Sequence, residues 1–493
     1  MKYRIINEND NVMVALVNLQ QGEVINNITI LEPIRKGHKI ALKDFLPNSK
    51  VIKYGYPIGY ATEFIKAGNL VHTHNLKTGL SDIVTFPKYE DIKVNPPYKM
   101  IKDMPMVKMY QRSNNEFGIR NELWVIPTVG CIGKFCERLV DKFKSRHNEL
   151  LIDGIHTFNH AYGCSQMGDD HETTKKSLQN IVLHPNAGGV LVVGLGCENN
   201  QLSSFKATLK NYDCNRIRFL NLQDVTDEEE QALAILEELY NQMKDDKRVK
   251  TPISNLRVGL KCGGSDAFSG ITGNPLIGRF SDYLVSHGGT TVLTEVPEMF
   301  GGELKLLSQA KDQEVYEKIV KMINDFKNYF ISQNQVIYEN PSPGNKEGGI
   351  TTLEEKSLGC CEKAGQMSVV DVLALTSRIR KNGLNLLSGP GNDLVSTTAL
   401  GMAGCQLVLF STGRGTPFGG FIPTIKIATN HELALNKPRW IDFDASGGVE
   451  GLSEDEIFKN FIQYILNVVQ GQYTYNEKNN YREIAIFKTG VTL

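Results

Sequence analysis

Short apolar runs alternate with turns over the first eighty residues. Four strand-like runs occupy residues 12–19, 28–34, 36–42 and 49–59, each bounded by polar residues or glycine. Such spacing is typical of β-strands joined by tight turns. It predicts a small all-β module over residues 1–82. From 83 to 108 the chain is rich in Pro, Lys and Tyr without a hydrophobic period, which predicts a linker.

Beyond the linker, continuous apolar runs alternate with segments of helical period. An apolar run at 122–130 leads into a predicted helix from Cys136 to Ser145, and another at 188–198 follows a second helical segment. A third helix is predicted to begin with a capping box from Thr226 to Glu229. Continuous apolar strands separated by helices favour parallel sheets covered on both faces. The fold class predicted is therefore an α/β body with mainly parallel sheets, preceded by the small all-β module.

A polar stretch rich in Pro, Gly and Asn, at 340–357, interrupts the α/β pattern. Such stretches commonly mark boundaries. We therefore predict a first α/β domain at 109–335 and a second at 350–493, the second contributing to a shared active site.

Charge excludes several classes of partner. The 493 residues carry 54 Lys and Arg against 55 Asp and Glu, so no global field favours nucleic acid or an anionic membrane. The first residues lack the pattern of a secretory signal, and no apolar stretch is long enough to span a bilayer. The expectation is a cytoplasmic protein with no nucleic-acid or membrane partner.

The nine cysteines are expected to be reduced. Glycine-flanked positions place several of them at tight turns: Cys131, Cys164, Cys197, Cys262, Cys360 and Cys405. For any one of them, a buried structural thiol is the competing interpretation, since free cysteine is among the most buried residue types.

Two segments are rich in possible metal donors. His72 and His74 lie two apart, and would share one face if a strand continues through them. Residues 156–171 contain His160 and Cys164 among several further donors. Nitrogen, sulfur and oxygen donors suit Fe(II), Mn(II) or Zn(II) better than calcium. Polar decoration of an exposed strand or loop is the alternative for both segments.

Polar residues also follow several predicted buried strands. Cys197 and Glu198 follow one strand, and a glycine pair at 263–264 follows another. Ligands in open α/β sheets bind beyond the carboxyl ends of strands, and paired glycines allow backbone amides to approach an anion. The members of the second group are Lys261, Cys262, Ser265, Asp266 and Asn274. Neither a phosphate-binding loop nor a dinucleotide fingerprint is present.

Arg414, bracketed by glycines after a further strand, could hold a substrate carboxylate with its planar fork, or could be a surface residue of a crossover loop. Asn392 or Asp393 could cap the helix that follows them. Glu295 and Glu298 lie after yet another strand, where either could serve as a metal ligand or acid, or both could be ordinary strand-end carboxylates.

Long segments of the chain resemble the altronate and galactarate dehydratase family. The segment KYGYPIGYATEFIKAGNLVHTHN resembles the SAF module, a β-clip-like domain, at the front of these enzymes. In the body, the resemblance is carried by KCGGSDAFSGITGNPLIG, TEVPEMFGGE, LLSGPGNDLVSTTALGMAGCQ and STGRGTPFGGFIPTIKIATN. The match covers nearly the whole length, and the fused SAF module favours the altronate branch.

The resemblance implies dehydration of D-altronate to 2-dehydro-3-deoxy-D-gluconate in hexuronate catabolism, with Fe(II) or Mn(II). Galactarate and sulfolactate lyases are related alternatives. A homodimer fits the size and enzyme class. In this chemistry a metal stabilises the enediolate formed when a base removes the C2 proton. We predict the metal ligands to be a subset of His72, His74, His160, Cys164, Cys197 and Glu198.

The base is left open between Lys261 and a histidine, with His72 and Asp266 as further catalytic residues. Arg414, Ser265, Asn274 and Asn392 are predicted to bind substrate. An iron–sulfur cluster is the less favoured cofactor, because no close cysteine triplet appears in the sequence. A sugar-acid binding protein is the non-enzyme alternative.

Overall fold

The computed structural model describes residues 2–80, 85–92, 94, 100–101 and 103–492. Residues 83, 84, 93, 95–99 and 102 of the predicted linker lie outside the described residues. The chain begins with nine short strands that form a four-stranded sheet in the order β1-β2-β5-β8, a three-stranded sheet β6-β7-β9 and a hairpin β3-β4. The strands are β1 Tyr3–Arg4, β2 Val12–Ala15, β3 Val24–Ile25, β4 Ile28–Thr29, β5 Lys39–Ala41, β6 Lys50–Lys53, β7 Tyr56–Ala61, β8 Leu70–Val71 and β9 Leu76–Lys77. This module confirms the prediction of a small all-β domain.

A four-stranded parallel sheet follows, in the order β13-β12-β14-β15. Helices α1 and α4 pack their apolar sides on it, because Leu139 and Phe143 of α1 meet Leu236 and Leu239 of α4 in one buried cluster. The elements here are β10 Met106–Gln111, β11 Phe117–Gly118, β12 Glu122–Pro127, α1 Gly133–Arg146, β13 Gly154–Thr157, α2 Gly168–Val182, β14 Ala187–Gly194, α3 Leu202–Thr208, β15 Ile217–Asn221, α4 Glu228–Met243 and β16 Val249–Pro252. Strands β10, β11 and β16 form a small antiparallel sheet beside it.

The remaining chain builds a seven-stranded parallel sheet in the order β19-β20-β18-β17-β21-β22-β23. Its strands are β17 Arg257–Cys262, β18 Thr290–Leu293, β19 Val369–Leu373, β20 Gly383–Leu387, β21 Leu407–Thr412, β22 Thr424–Ala428 and β23 Phe443–Asp444. Its helices are α5 Gly273–Ser286, α6 Glu303–Leu307, α7 Gln313–Ser332, α8 Pro343–Glu347, α9 Leu353–Cys361, α10 Asp393–Met402, α11 His431–Asn436, α12 Gly447–Glu450, α13 Glu454–Val469 and α14 Tyr475–Lys478. The central strands are fully buried, which confirms the predicted parallel α/β body.

The structure differs from two local predictions. The large sheet takes β17 and β18 from before the polar segment at 340–357 and β19 to β23 from after it. The segment is therefore an excursion containing α8 and not a break between two sheets. The division between sheets falls between β15 and β17 instead. The cap of α4 is Asp227, whose carboxylate accepts from the Glu230 amide at 3.2 Å, and not the predicted Thr226.

The β module docks on helix α9. Leu358 of α9 joins the module's apolar cluster, and Glu355 forms buried ion pairs with Lys39 at 2.9 Å and Lys53 at 2.7 Å. Burial would raise the pKa of Glu355, but the two ammonium groups hold it well below its usual range. The module is therefore locked to the body by charge as well as by apolar contact. No helix among the described residues is long and apolar enough to cross a membrane.

Candidate active site

Polar loops converge at the carboxyl edge of the seven-stranded sheet. The loops after the adjacent strands β18, β17, β21 and β22 contribute Glu295, Asp266, Arg414 and Asn430, respectively. Parallel strands bring their carboxyl ends to one edge, so residues separated by more than a hundred positions become neighbours. Helix α10 adds Asp393 from its first turn. The sequence pattern predicted that polar residues following strands would gather at such an edge.

Lys261 lies at the centre of this edge and is fully buried. Its ammonium donates to Glu295 at 2.8 Å, to Asp393 at 2.7 Å and to the Ser396 hydroxyl at 3.0 Å. Burial by itself would lower the pKa of Lys261, but the two carboxylates raise it above its ordinary value. The structure therefore holds Lys261 as a cation. Its predicted use as a neutral base is wrong, because that role required a lowered pKa.

Glu295 is the strained partner of Lys261. It has a positive φ of 72°, a conformation that costs a non-glycine residue free energy and is kept only where the surroundings require it. One carboxylate oxygen accepts from Lys261 and the other from the Cys262 amide at 3.1 Å. Burial raises the pKa of Glu295, and the neighbouring Lys261 opposes this rise. The loop after β18 is thus shaped to place this carboxyl group under the end of β17.

A second buried cluster lies directly behind Lys261. The Cys262 and Cys360 sulfurs are 3.4 Å apart, and Glu298 lies 3.3 and 3.1 Å from them, respectively. Lys363 donates to the Cys262 sulfur at 2.8 Å, and Lys356 pairs with Glu298 at 2.8 Å. The contact with the Cys360 thiol, together with Lys363, lowers the pKa of Cys262 to about 7. Each negative group therefore already has a cation.

Asp266 and Arg414 line one cavity of about 410 Å³. Lys36 of the β module, Lys437 and Asn430 also line it, so the cavity presents three basic side chains, beside the acidic Asp266 and Glu432, to a small anion. Asp266 accepts from Thr429 at 2.9 Å and from Asn430 at 3.1 Å. Burial raises its pKa, and these hydrogen bonds oppose the rise. Arg414 is 48% exposed and contacts Glu347 at 3.2 Å, which leaves it close to solvent.

The glycine pair after β17 connects this cavity to Lys261. A side chain at Gly263 would meet Asp393 at 2.6 Å, and Gly264 has a positive φ of 61° with Arg414 beside it. The loop can therefore carry a substrate close to its backbone between Asp393 and Arg414.

Two of the predicted substrate-binding residues, Asn274 and Asn392, have structural surroundings, and a third, Ser265, does not. Asn274 is buried and joins Gly359 and Ser411, so its predicted contact with substrate is not supported by its position. The Asn392 side chain caps α10 by accepting from the Leu394 and Val395 amides, both at 3.1 Å, the simpler of the two interpretations. Ser265 differs, because its buried hydroxyl has no hydrogen-bond partner and lines a cavity of about 10 Å³ with Cys360.

The two histidines of the β module lie on a turn and not on a strand. Strand β8 ends at Val71, and residues 72–75 form the turn, so the predicted shared strand face is absent. His72 packs edge-on against His38 with ring centroids 5.1 Å apart, and its Nδ1 is buried without a partner. Burial, reinforced by Lys39, lowers the pKa of His72 to about 4, so the ring is neutral. His74 is exposed.

The other predicted metal ligands belong to the four-stranded sheet. His160 uses both ring nitrogens on backbone groups, Nε2 with the Pro127 carbonyl at 2.9 Å and Nδ1 with the Tyr162 amide at 3.2 Å. Glu198 accepts from the Thr128 hydroxyl and from two backbone amides, at 2.6–3.0 Å. Both are therefore occupied as structural groups. Cys164 and Cys197 remain exposed thiols.

The six predicted ligands do not assemble around one ion. Among the described residues, the only three donor groups of this kind within 4.8 Å of one another are Cys262, Glu298 and Cys360. That group is buried and is neutralised by Lys356 and Lys363, so an ion there would meet two ammonium groups. The residues present thus do not fit a mononuclear Fe(II) or Mn(II) site built from the predicted set.

Sequence reasoning missed two lysines of this edge. Lys363, buried against Cys262, follows no recognisable motif, although its position just after Cys360 and Cys361 was visible. Lys426 is buried on β22 and donates to the Thr416 carbonyl at 2.7 Å. Burial lowers the pKa of Lys426 to about 8. A single lysine inside an apolar strand follows no sequence pattern that would have pointed to this site.

Three family models together match almost the whole chain. The altronate/galactarate dehydratase SAF domain matches residues 1–79. The second domain of D-galactarate dehydratase/altronate hydrolase matches 109–244, and the C-terminal domain of D-galactarate/altronate dehydratase matches 253–492. The boundary between the last two models falls where the structure changes from the small sheet to the large one.

Full-length relatives agree with these models. The chain is 52% identical over 498 residues to an altronate dehydratase of Escherichia coli, covering 100% of both chains. It is 51% identical to an altronate dehydratase of Bacillus subtilis, covering 99% of both. A galactarate dehydratase (L-threo-forming) of Escherichia coli is 31% identical over 94% of this chain and 90% of its own.

Proposed function

The chain belongs to the altronate and galactarate dehydratase family, and from this premise and its site we infer that it is a hydro-lyase that dehydrates D-altronate. The choice of altronate as the substrate is supported by sequence identity. The chain is 52% and 51% identical to two altronate dehydratases over essentially its full length, but 31% identical to a galactarate dehydratase. The product is 2-dehydro-3-deoxy-D-gluconate, which places the enzyme in hexuronate catabolism.

The reaction removes a proton from C2 and hydroxide from C3. Hydroxide leaves as water after taking up a proton, and the enol that remains ketonises, so the substrate loses only water. A C2 proton beside a carboxylate is weakly acidic, and positive charge near the carboxylate must stabilise the enediolate that forms. The cavity between Lys36 and Arg414 supplies such charge.

We assign roles to three residues of the large-sheet edge. Arg414 holds the substrate carboxylate, because it lines the cavity and the start of its side chain lies beside Gly264. Asp266 takes the C2 proton, because it lines the same cavity and burial raises its pKa above the ordinary value of an aspartate. Lys261 is a positioning residue that holds Asp393 and Glu295 in place as a permanent cation.

Dependence on iron or manganese is also part of this proposal, but no reaction step is derived through the metal, since the predicted ligands do not assemble. Location in the cytoplasm is proposed from the reduced state of all nine cysteines, which suits a reducing compartment. A homodimer is proposed from size and enzyme class.

The test is anaerobic turnover of D-altronate with Fe(II) and a thiol, following the 2-keto-3-deoxy acid. Galactarate, D-mannonate and sulfolactate are assayed alongside. Preferential turnover of altronate is expected. Faster turnover of another acid would reject the substrate, and stabilisation by altronate without turnover in metal-replete protein would favour a sugar-acid binding protein.

Variants assayed in the same way separate the two contact roles. Arg414→Lys is expected to raise KM for altronate, because a lysine loses the two-point contact with a carboxylate. Asp266→Asn is expected to lower kcat by at least about 100-fold, the usual range for a lost acid–base group. A shared effect of both variants on KM alone would reject the assignment of Asp266.

A further inference from the structure

Three exposed cysteines lie at the carboxyl edge of the four-stranded sheet. Cys131 follows β12, Cys164 follows β13 and Cys197 follows β14, and β12 is the central member of these three adjacent parallel strands. They are 33 positions apart in each case. Such spacing hides a triplet from sequence inspection, whereas the parallel sheet brings the three strand ends together.

Backbone hydrogen bonds tie the three cysteine loops to one another. The Gly130 amide donates to the Tyr162 carbonyl at 2.8 Å, which joins the first loop to the second. The Asn200 amide donates to the Gly163 carbonyl at 2.9 Å, which joins the third loop to the second. The Asn200 side chain donates to the Thr128 carbonyl at 3.1 Å, which joins the third loop to the first. The thiols are therefore carried by one connected frame.

The glycines before Cys131 and Cys164 are required by this close approach, and the glycine before Cys197 is required by its backbone conformation. A Cβ at Gly130 would lie 2.5 Å from the His160 carbonyl oxygen, and one at Gly163 would lie 2.1 Å from that of Thr128. Gly163 and Gly196 also have positive φ values of 99° and 126°. The repeated Gly-Cys pairs thus have a physical cause, because they let three loops meet while each presents a thiol.

We propose that Cys131, Cys164 and Cys197 together bind an iron–sulfur cluster, leaving one iron without a protein thiolate. Thiolates are the usual ligands of such clusters, and the three sulfurs are not packed as closely as donors to a single ion would be, since they form no group within 4.8 Å. The sites predicted for mononuclear metal offer no alternative, because His160 and Glu198 are held by backbone amides and carbonyls.

A cleft of about 510 Å³ lies between the two sheets. It is lined by Glu137 and Asn159 from the small-sheet side and by Leu394 from the large-sheet side. Asn159 directly precedes His160 in the second cysteine loop, and Leu394 directly follows Asp393, the partner of Lys261. The cysteines themselves do not line this cleft, and the substrate cavity of Asp266 and Arg414 is a different one. The catalytic use of the cluster rests on the proposed function, whereas its binding does not.

The experiment is anaerobic reconstitution of the full chain with Fe(II) and sulfide. Iron and acid-labile sulfide are measured together with visible absorbance and the electron paramagnetic resonance of the reduced protein. The variants are Cys131→Ser, Cys164→Ser and Cys197→Ser. Cys214→Ser is the matched control, because Cys214 is also exposed and unpaired but lies outside the three loops. Cys262→Ser tests the buried pair.

We expect the wild type, Cys214→Ser and Cys262→Ser to bind equal amounts of iron and sulfide. We expect Cys131→Ser, Cys164→Ser and Cys197→Ser each to lose most of the cluster. A wild type that binds iron without sulfide, or triad variants that keep the cluster, would overturn the proposal. Circular dichroism shows whether a variant that loses the cluster remains folded; loss through unfolding of all three variants would also count against a specific site.

Altronate turnover separates the two proposals. A wild type that carries the cluster but dehydrates no altronate leaves the binding site standing and rejects the proposed function. Full turnover in triad variants without cluster leaves the proposed function standing and rejects a catalytic role for the cluster.

Discussion

The carboxyl edges of the two parallel sheets use cysteine in opposite ways. At the large sheet, Cys262 and Cys360 are buried with Lys363 and Glu298, and each charge has a partner within 3.3 Å. At the small sheet, Cys131, Cys164 and Cys197 are exposed. Their loops are held by backbone hydrogen bonds.

This difference follows from what covers each edge. Helix α9, on which the β module docks, carries Cys360, and the cysteines of the large-sheet edge are buried, so the groups around them are desolvated and must neutralise one another. The small sheet's edge stays open, so its three thiols remain accessible to a ligand. A glycine-flanked cysteine therefore has no single meaning, and its surroundings decide between a structural and a binding role.

The largest effect is expected at the buried edge, from Lys261→Met. The change leaves Glu295 and Asp393 without their cation, and removing one partner of a buried pair costs about 3–5 kcal/mol. Urea unfolding measures the loss. Lys321→Met is the control, because its pair with Asp325 is exposed and its loss should cost no more than about 1 kcal/mol. Equal losses in both variants would contradict the buried-edge description.

A smaller loss, about 3 kcal/mol at neutral pH, is expected for Glu355→Gln, since the amide keeps shape but removes the charge facing Lys39 and Lys53. The lowered pKa of Glu355 stabilises the fold fully above the unfolded carboxyl pKa of about 4.3, and this stabilisation is lost as pH falls below it. The gap between wild type and variant should therefore narrow in acid. Glu454→Gln, in an exposed pair with Arg4, should show no such gap.

The smallest effect on stability is expected at the open edge. Serine at position 131, 164 or 197 should change the free energy of unfolding of the apo protein by no more than about 0.5 kcal/mol, as for other exposed sites. Alkylation with mass mapping sharpens the comparison. Native apo protein should label four exposed cysteines, including Cys214, and cluster-loaded protein only Cys214. Rapid native labelling of Cys262 or Cys360 would show that the two edges do not differ in access.

Much of the fold was readable from local pattern. Alternation of short strands with turns predicted the β module, and continuous apolar strands predicted the parallel body. The predicted division near 340 was wrong because a polar excursion resembles a domain boundary when strand pairing is unknown. The strand does not continue through His72 and His74, because the Asn75 and Leu76 amides both donate to the His72 carbonyl and form a turn after β8.

The site was only partly readable. Asp266 and Arg414 line one cavity, because polar residues after parallel strands gather at one edge, and their roles remain predictions. The charge state of Lys261 was not readable, since it depends on Glu295 in the loop after β18 and on Asp393 in helix α10. His160 and Glu198 carried ligand-like chemistry, yet neighbouring amides and carbonyls hold them.

The sequence by itself determined the elements, the family and the positions of the Gly-Cys pairs, because these depend on local pattern and motif. Only the tertiary structure decided which cysteines share an edge, which are sealed with lysines, and which residues are free to bind. Strand order causes this difference. Cys131, Cys164 and Cys197 are distant in the chain and become neighbours through β13, β12 and β14, whereas burial and ion pairing fix the charge of Lys261.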